Sequence, residues 1–213
     1  AGTAEGLDRW HDPAPGSMLR MGVAPCSPFS VTGELMRSAA VIAREQGVRL
    51  HTHLAETAAE VENAREQFGM PVIPYVKKQN LFGAKVLAAH CVHVDANERR
   101  ILRETGTWVT HQPRSNMNNG VGVAPIESMM RAGVKVCLGN DGFSNDMFAE
   151  MKIADLLQKV SQGDPRALGA DRVLQMAVQN MAWRTAVASG SLRLPATSGC
   201  AAIILAIGIC RYP

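Results

Sequence analysis

Apolar residues in this chain come in short runs, and after each run the apolar positions spread to a spacing of three and four residues. The runs predict buried strands, and the wider spacing predicts helices with one buried face. The first run is Met18 to Ala24, closed by Pro25-Cys26-Ser27-Pro28. Thr32 is placed to cap a helix from Gly33 to Gln46, with Glu34 in its first turn and Gly47 as its stop. Leu35, Met36, Ala39, Ile42 and Ala43 keep helical spacing and mark its buried face. Val48 to Leu54 is the next strand, and Thr57 with Glu60 forms a T-x-x-E capping box for a helix that Gly69 ends. Pro71 to Lys78 predicts a further short helix. Lys85 to His90 is the third strand, and Asp95 with Glu98 caps a helix closed by Gly106. Thr107 to Thr110 is the fourth, followed by a polar loop from Arg114 to Gly122 and a helix from Ala124 to Ala132. Val134 to Leu138 is the fifth. Asp146 caps the next helix, which contains Met147, Met151, Ala154, Leu157 and Val160, with Met147 and Met151 as core packing, and a last helix runs from Asp171 to Ala188. Ala1 to Ser17, without an initiating methionine, predicts the tail of an upstream element.

Strands alternating with helices predict a parallel α/β architecture. In such sheets ligands bind at the carboxyl ends of the strands. His53, Glu56, His90, His111 and Asp141 all fall at or just past such ends. Side chains alternate along a strand, so His51 and His53 share a face, with His51 one layer deeper. Each residue has an ordinary reading by itself: a hydrogen-bonded histidine, a turn aspartate in Asn140-Asp141-Gly142, a glutamate favouring a helix start. Those readings do not account for polar ends on four consecutive strands.

Composition narrows the class. A hydrophobic fraction of 46% with 19% charged residues describes an ordered globular chain. The net charge of +3 comes without a Lys/Arg run, so nucleic acid is not an expected partner; Lys77-Lys78 and Arg99-Arg100 are expected to be solvated helix faces. Five scattered cysteines with no CxxC pair predict free thiols in a reducing cytoplasm, with Cys91 and Cys137 as small core residues. The apolar run Ala201 to Cys210 is about half of the ~20 residues a membrane helix needs, so a buried strand is expected and no membrane is implied.

Five motifs carry a resemblance to a known family. They are Ala24-Pro25-Cys26-Ser27-Pro28-Phe29-Ser30-Val31-Thr32, His51-Thr52-His53-Leu54-Ala55-Glu56-Thr57, Ala89-His90-Cys91-Val92-His93, Ser115-Asn116-Met117 and Gly139-Asn140-Asp141-Gly142. In this order, from about Met18 to Ala186, the chain resembles the amidohydrolase superfamily and, within it, the aminohydrolases that deaminate N-heterocycles. Its opening half is similar to 8-oxoguanine and hydroxyatrazine deaminases. The resemblance implies a TIM-type (β/α) barrel of which this chain holds about strands 4–8 of eight. It implies one divalent metal ion, Zn²⁺ or alternatively Fe²⁺, with His53 and Asp141 as ligands. Glu56 would be the proton shuttle, His90 would contact substrate or the metal-bound water, and Asn116 would touch substrate. Glu56, His90 and Asp141 form the implied catalytic set. The implied reaction is hydrolysis of a non-peptide C–N bond in a purine, pyrimidine or triazine type of heterocycle, by attack of metal-bound hydroxide. That makes the chain an aminohydrolase acting on a small-molecule substrate, with a homo-oligomer left open.

The departures are equally specific. The family's first strand supplies an H-x-H metal pair; His51-Thr52-His53 imitates that spacing but fits the fifth strand, so strands one to three and the true pair are expected to be missing. The expected organisation is a barrel part over 1–189 and a divergent tail over 190–213 with a closing strand. Dinuclear members carry a lysine at the end of the fourth strand, and Leu19 to Ala24 contains none, which implies a mononuclear site. Gln112 stands where asparagine is usual, and Asn140 where threonine or valine is commoner. Two alternatives stay open: a hydrolase of a ring amide or aryl halide on the same site, and an inactive fragment or pseudoenzyme that binds partners through an exposed barrel edge.

Overall fold

The computed structural model, which describes residues 2–14, 17, 19–83 and 85–185, contains five strands. They are β1 (Gly22–Val23), β2 (Arg49–Leu54), β3 (Val86–His90), β4 (Trp108–His111) and β5 (Lys135–Leu138). All pair in parallel, in the sheet order β1-β2-β3-β4-β5. Each new strand therefore joins on the same side as the last, the winding of a barrel and not of a doubly wound sheet, where the order reverses. The connections are helical, as parallel pairing requires. They are α2 (Gly33–Glu45), α3 (Ala58–Phe68), α4 (Val72–Lys78), α5 (Ala96–Glu104), α6 (Pro113–Asn118) and α7 (Ile126–Arg131), with α8 (Met147–Gln162) and α9 (Ala170–Thr185) after the last strand.

The two faces of the sheet separate the core into unequal parts. Leu50, Leu54, Val86, Ala88, Val109, Val136 and Leu138 pack with Met36, Val61, Val76, Leu102 and Met129 from the helices. Full burial of such a side chain contributes roughly 2 kcal/mol. The alternate positions face the other way, where Leu87, Cys137 and the partly buried Trp108 form a small cluster of their own. His51 and His53 pair in register with Leu87 and Ala89, so both histidines belong to this second face.

Capping follows the expected residues. Thr32 Oγ1 accepts from Leu35 N at 3.2 Å, Asp146 Oδ1 from Ala149 N at 3.0 Å, and Asp95 with Glu98 closes a complete capping box. Thr57 accepts from Glu60 N at 3.0 Å, but Glu60 Oε2 receives Glu56 N–H at 2.8 Å and not the N–H of the cap. The second half of that box is thus turned onto a site residue.

The structure adds detail to several expectations and differs from others. The N-terminal segment contains a helix, α1 (Gly2–Trp10), whose Leu7 is buried. The first strand shrinks to two residues. The loop from Arg114 to Gly122 begins as α6, because Pro113 at the first helical position has the right φ and lacks only an N–H that would have no partner there. Leu35 is half exposed, and Ala40 takes the inward place on α2. Val160 is 81% exposed, while Glu150, Ala154 and Gln158 are the buried positions of α8. An ion pair from Glu150 to Arg114 of α6 is one of the contacts on that inward face. The run Ala201 to Cys210 and the end of the last helix, Ala186 to Ala188, lie outside the described residues. Among the described residues no helix is long and apolar enough to cross a membrane.

Candidate functional site

The strand ends turn through backbone that side chains other than glycine rarely adopt. Ala55, His90, Cys91 and Asp141 have φ of +50°, +68°, +48° and +56°. Each such residue costs roughly 1–2 kcal/mol unless its surroundings hold it. By strand alternation His90 follows Ala88 and would point toward the helices. Its left-handed corner instead carries the imidazole over the strand end. His90 N–H donates to Gln112 Oε1 at 3.0 Å, and Cys91 N–H to Leu54 O at 2.9 Å, which hold the corner.

These corners bring the predicted residues together. The His53 and His90 rings stack with centres 5.4 Å apart. His90 Nε2 lies 3.6 Å from Glu56 Oε2 and 3.8 Å from Asp141 Oδ2. His90 is 1% exposed, and burial first of all pulls its pKa down, against the opposing charge of Glu56. The imidazole is therefore neutral near pH 7, so neither close approach is an ion pair. His90 Nδ1 is 2.9 Å from Asn116 Oδ1, so Nδ1–H donates and Nε2 carries a lone pair. That lone pair and two carboxylate oxygens then face one another with no donor among them, an arrangement that attracts a proton or a cation.

Other residues hold this group from behind. Ser115 Oγ–H donates to Asp141 Oδ2 at 2.7 Å. His53 Nδ1–H donates to the carbonyl of Cys26 at 2.8 Å, leaving Nε2 bare. Glu60 receives the Glu56 N–H as described above. Asn116, expected to touch substrate, is completely buried, with its Oδ1 2.9 Å from His90 Nδ1. His51 lies one step back, its ring 5.7 Å from that of His53, and burial lowers its pKa to about 4. His111 does not join the cluster by any hydrogen bond. It shares strand parity with Val109 on the helix side, has no partner on either ring nitrogen, and is held neutral by burial, its pKa lowered to about 3. Cys91 and Cys137 are buried free thiols, as expected.

Glu60 leads to a pH prediction. Burial, aided by the charge of Glu56, raises its pKa from 4.5 to about 7, although accepted backbone N–H groups oppose the shift. A raised pKa means that the folded state favours the protonated form. The associated stability is complete below pH 4.5 and is lost as pH rises through 7, by roughly 3 kcal/mol in all. Glu60→Gln is expected to remove that fall, seen as a wild-type-minus-variant difference in urea stability between pH 5 and pH 8. Parallel stability curves for the two proteins would contradict the assignment.

The donor chemistry suits a divalent metal in kind. His53 offers a bare Nε2 with its other nitrogen tied to a carbonyl, the usual support of a metal-binding histidine. Asp141 offers a carboxylate steadied by Ser115. In number the donors fall short of the three protein ligands of a catalytic zinc site. Among the described residues no group of three or more His, Cys, Asp or Glu side chains is arranged to hold a metal.

Sequence reasoning passed over Ser115, Gln112, Glu60 and the Cys26 carbonyl as supports. Ser115 belongs to a quoted motif and Gln112 to the departures from the family pattern, and those positions are the available signal. Glu60 was assigned to a cap, and a backbone carbonyl leaves no mark in sequence.

Comparison with known proteins identifies the family and the fold. The 5-methylthioadenosine/S-adenosylhomocysteine deaminase of Desulforudis audaxviator is 40% identical over 181 residues, covering 82% of this chain and 42% of the relative. The 8-oxoguanine deaminase of Pseudomonas aeruginosa is 40% identical over 164 residues, covering 75% of this chain and 36% of the relative. The crystal structure of an adenosine deaminase from Xanthomonas campestris with bound zinc matches with a TM-score of 0.79 at 28% identity, covering 87% of this chain and 43% of that one. The chain thus spans less than half the length of each. The family model described as the amidohydrolase family matches residues 3–186. With five parallel strands wound as part of a TIM-type barrel and a match over most of its length, the chain belongs to the amidohydrolase family.

Proposed function

We propose that this site serves hydrolytic deamination of an amino-substituted N-heterocycle of the purine type. The observation that carries the reading is the convergence of Glu56, His90 and Asp141 at three strand ends, within 3.6 and 3.8 Å of one imidazole nitrogen. The relatives support the substrate class, since those reported are deaminases of purine compounds by name. Deamination consumes one water and releases ammonia, so the site must take both protons of the water and give one to the ring nitrogen and one to the leaving amine. Asp141 would receive the first. Glu56, with a quarter of its side chain exposed, would carry protons to a ring nitrogen and to the departing amine. His90, neutral, offers a hydrogen-bond acceptor between the two carboxylates. His53 and Asp141 are the residues that would hold a divalent metal, zinc or iron. Such an ion supplies Lewis acidity that brings the pKa of water to roughly 7.

The test combines metal analysis with product detection. The purified chain is supplied with Zn²⁺ or Fe²⁺, and ammonia is measured with adenosine-type, 8-oxoguanine and aminotriazine compounds. About one metal per chain, as expected for a mononuclear site, together with ammonia release supports the reading. Absence of both sinks it. The shortage of donors favours a second reading, in which the chain binds metal weakly and turns over only when further ligands complete the set. Metal binding without ammonia would select that reading.

A further inference from the structure

Gln112 to Asn116 is one short stretch, the turn out of β4 and the start of α6, yet four of its five side chains hold the site or its frame. Gln112 receives the His90 N–H, Arg114 pairs with Glu150 of α8, Ser115 donates to Asp141, and Asn116 receives the His90 Nδ1–H. Successive helical residues point about 100° apart, so neighbours on α6 can reach the ends of two different strands. The Arg114–Glu150 pair, at 2.5 Å with Glu150 fully buried, ties α6 to α8.

We infer that Asn116 is a positioning residue that fixes the tautomer of His90, holding the proton on Nδ1 so that Nε2 faces the reacting centre as an acceptor. The facing carboxylate oxygens of Glu56 and Asp141 would otherwise draw that proton to Nε2, where it could bond to either. Asn116 opposes them with its Oδ1 at 2.9 Å. It is fully buried, and its Nδ2 has no partner, so the side chain is held by what it accepts and not by what it donates. The consequence for turnover rests on the deamination reading; the hydrogen-bond pattern does not.

The experiment is a long-range ¹H–¹⁵N spectrum of the full chain labelled in histidine, with His90 assigned by its loss in His90→Gln. In the wild type the Nδ1 of His90 is expected in the protonated range and Nε2 in the unprotonated range. Asn116→Ala is expected to move the proton to Nε2, and Asn116→Asp, which keeps an acceptor, to return it to Nδ1. A wild-type His90 protonated on Nε2, or an Asn116→Ala spectrum identical to wild type, overturns the inference. If Asn116→Ala does not fold, the wild-type and Asn116→Asp spectra decide the matter. Where ammonia release is measurable, Asn116→Ala is expected to lower kcat by about 10–100-fold, the usual loss for a residue supporting a site from behind. An Nδ1–H tautomer in a chain that neither binds metal nor releases ammonia defeats the deamination reading alone; ammonia release with an Nε2–H tautomer defeats this inference alone.

Discussion

Changing Asp141 to Ala is expected to remove metal and ammonia release together, whereas Glu56→Gln is expected to keep the metal and lower turnover by about 10²–10⁴-fold. The difference follows from position. Asp141 is one of two side chains suited to hold a metal, its carboxylate steadied by Ser115 and turned by a φ of +56°. With it gone, His53 alone remains, and one imidazole does not retain a divalent ion against water. Glu56 touches the same centre through His90 Nε2, but among the described residues no side-chain hydroxyl donates to its carboxylate as Ser115 does to Asp141, and it keeps an open side toward solvent. Glutamine preserves its shape and removes its proton. Metal analysis beside an ammonia assay separates the two variants, and an Asp141→Ala chain with full metal and full rate would show that the site lies elsewhere.

Replacing Arg114 with Met is expected to destabilise the chain by about 3–5 kcal/mol, because Glu150 is left as a buried, unpaired carboxylate. For a chain of this size each kcal/mol corresponds to about 2–4 °C in Tm. The double change Arg114→Met with Glu150→Leu is expected to recover most of the loss, since an apolar pair needs no charge compensation. Urea denaturation of the two proteins and the wild type measures this. A single variant within about 1 kcal/mol of wild type would show that Glu150 is satisfied without Arg114. The pair also matters for function, because α6 carries the residues that brace His90 and Asp141.

Much of the candidate site was legible in the chain. His53, Glu56, His90 and Asp141 each followed an apolar run and preceded a cap, so their place at strand ends could be read from local pattern. His111 had the same local pattern and stands apart from the group. Strand alternation turns it toward the helices, with Val109, and no left-handed corner brings it back. His90 began from the same parity and was brought back by its φ of +68°. Periodicity cannot distinguish the two, because a single residue's left-handed turn depends on what holds it, here Gln112 from the neighbouring strand. The inward face of α8 escaped for a similar reason. Apolar spacing picked out Met147 and Met151, which pack partly buried against the core, while the packed structure fully buried Glu150 and Gln158, polar groups whose partners, Arg114 and the Ala124 carbonyl, lie far away in sequence.

The sequence by itself determined the parallel alternation, the helix starts at Thr32, Thr57, Asp95 and Asp146, and the residue types gathered at the strand ends. These rest on interactions within a few positions of each other: caps, turns and the period of burial. Only the tertiary structure decided which strand-end residues meet, which nitrogen of His90 faces the carboxylates, and that Asn116 is fully buried against His90. Those outcomes depend on hydrogen bonds that cross from one strand end to the next, between residues more than twenty positions apart, such as His90 to Gln112 and to Asn116. Local pattern has no access to such pairs until the sheet sets its register.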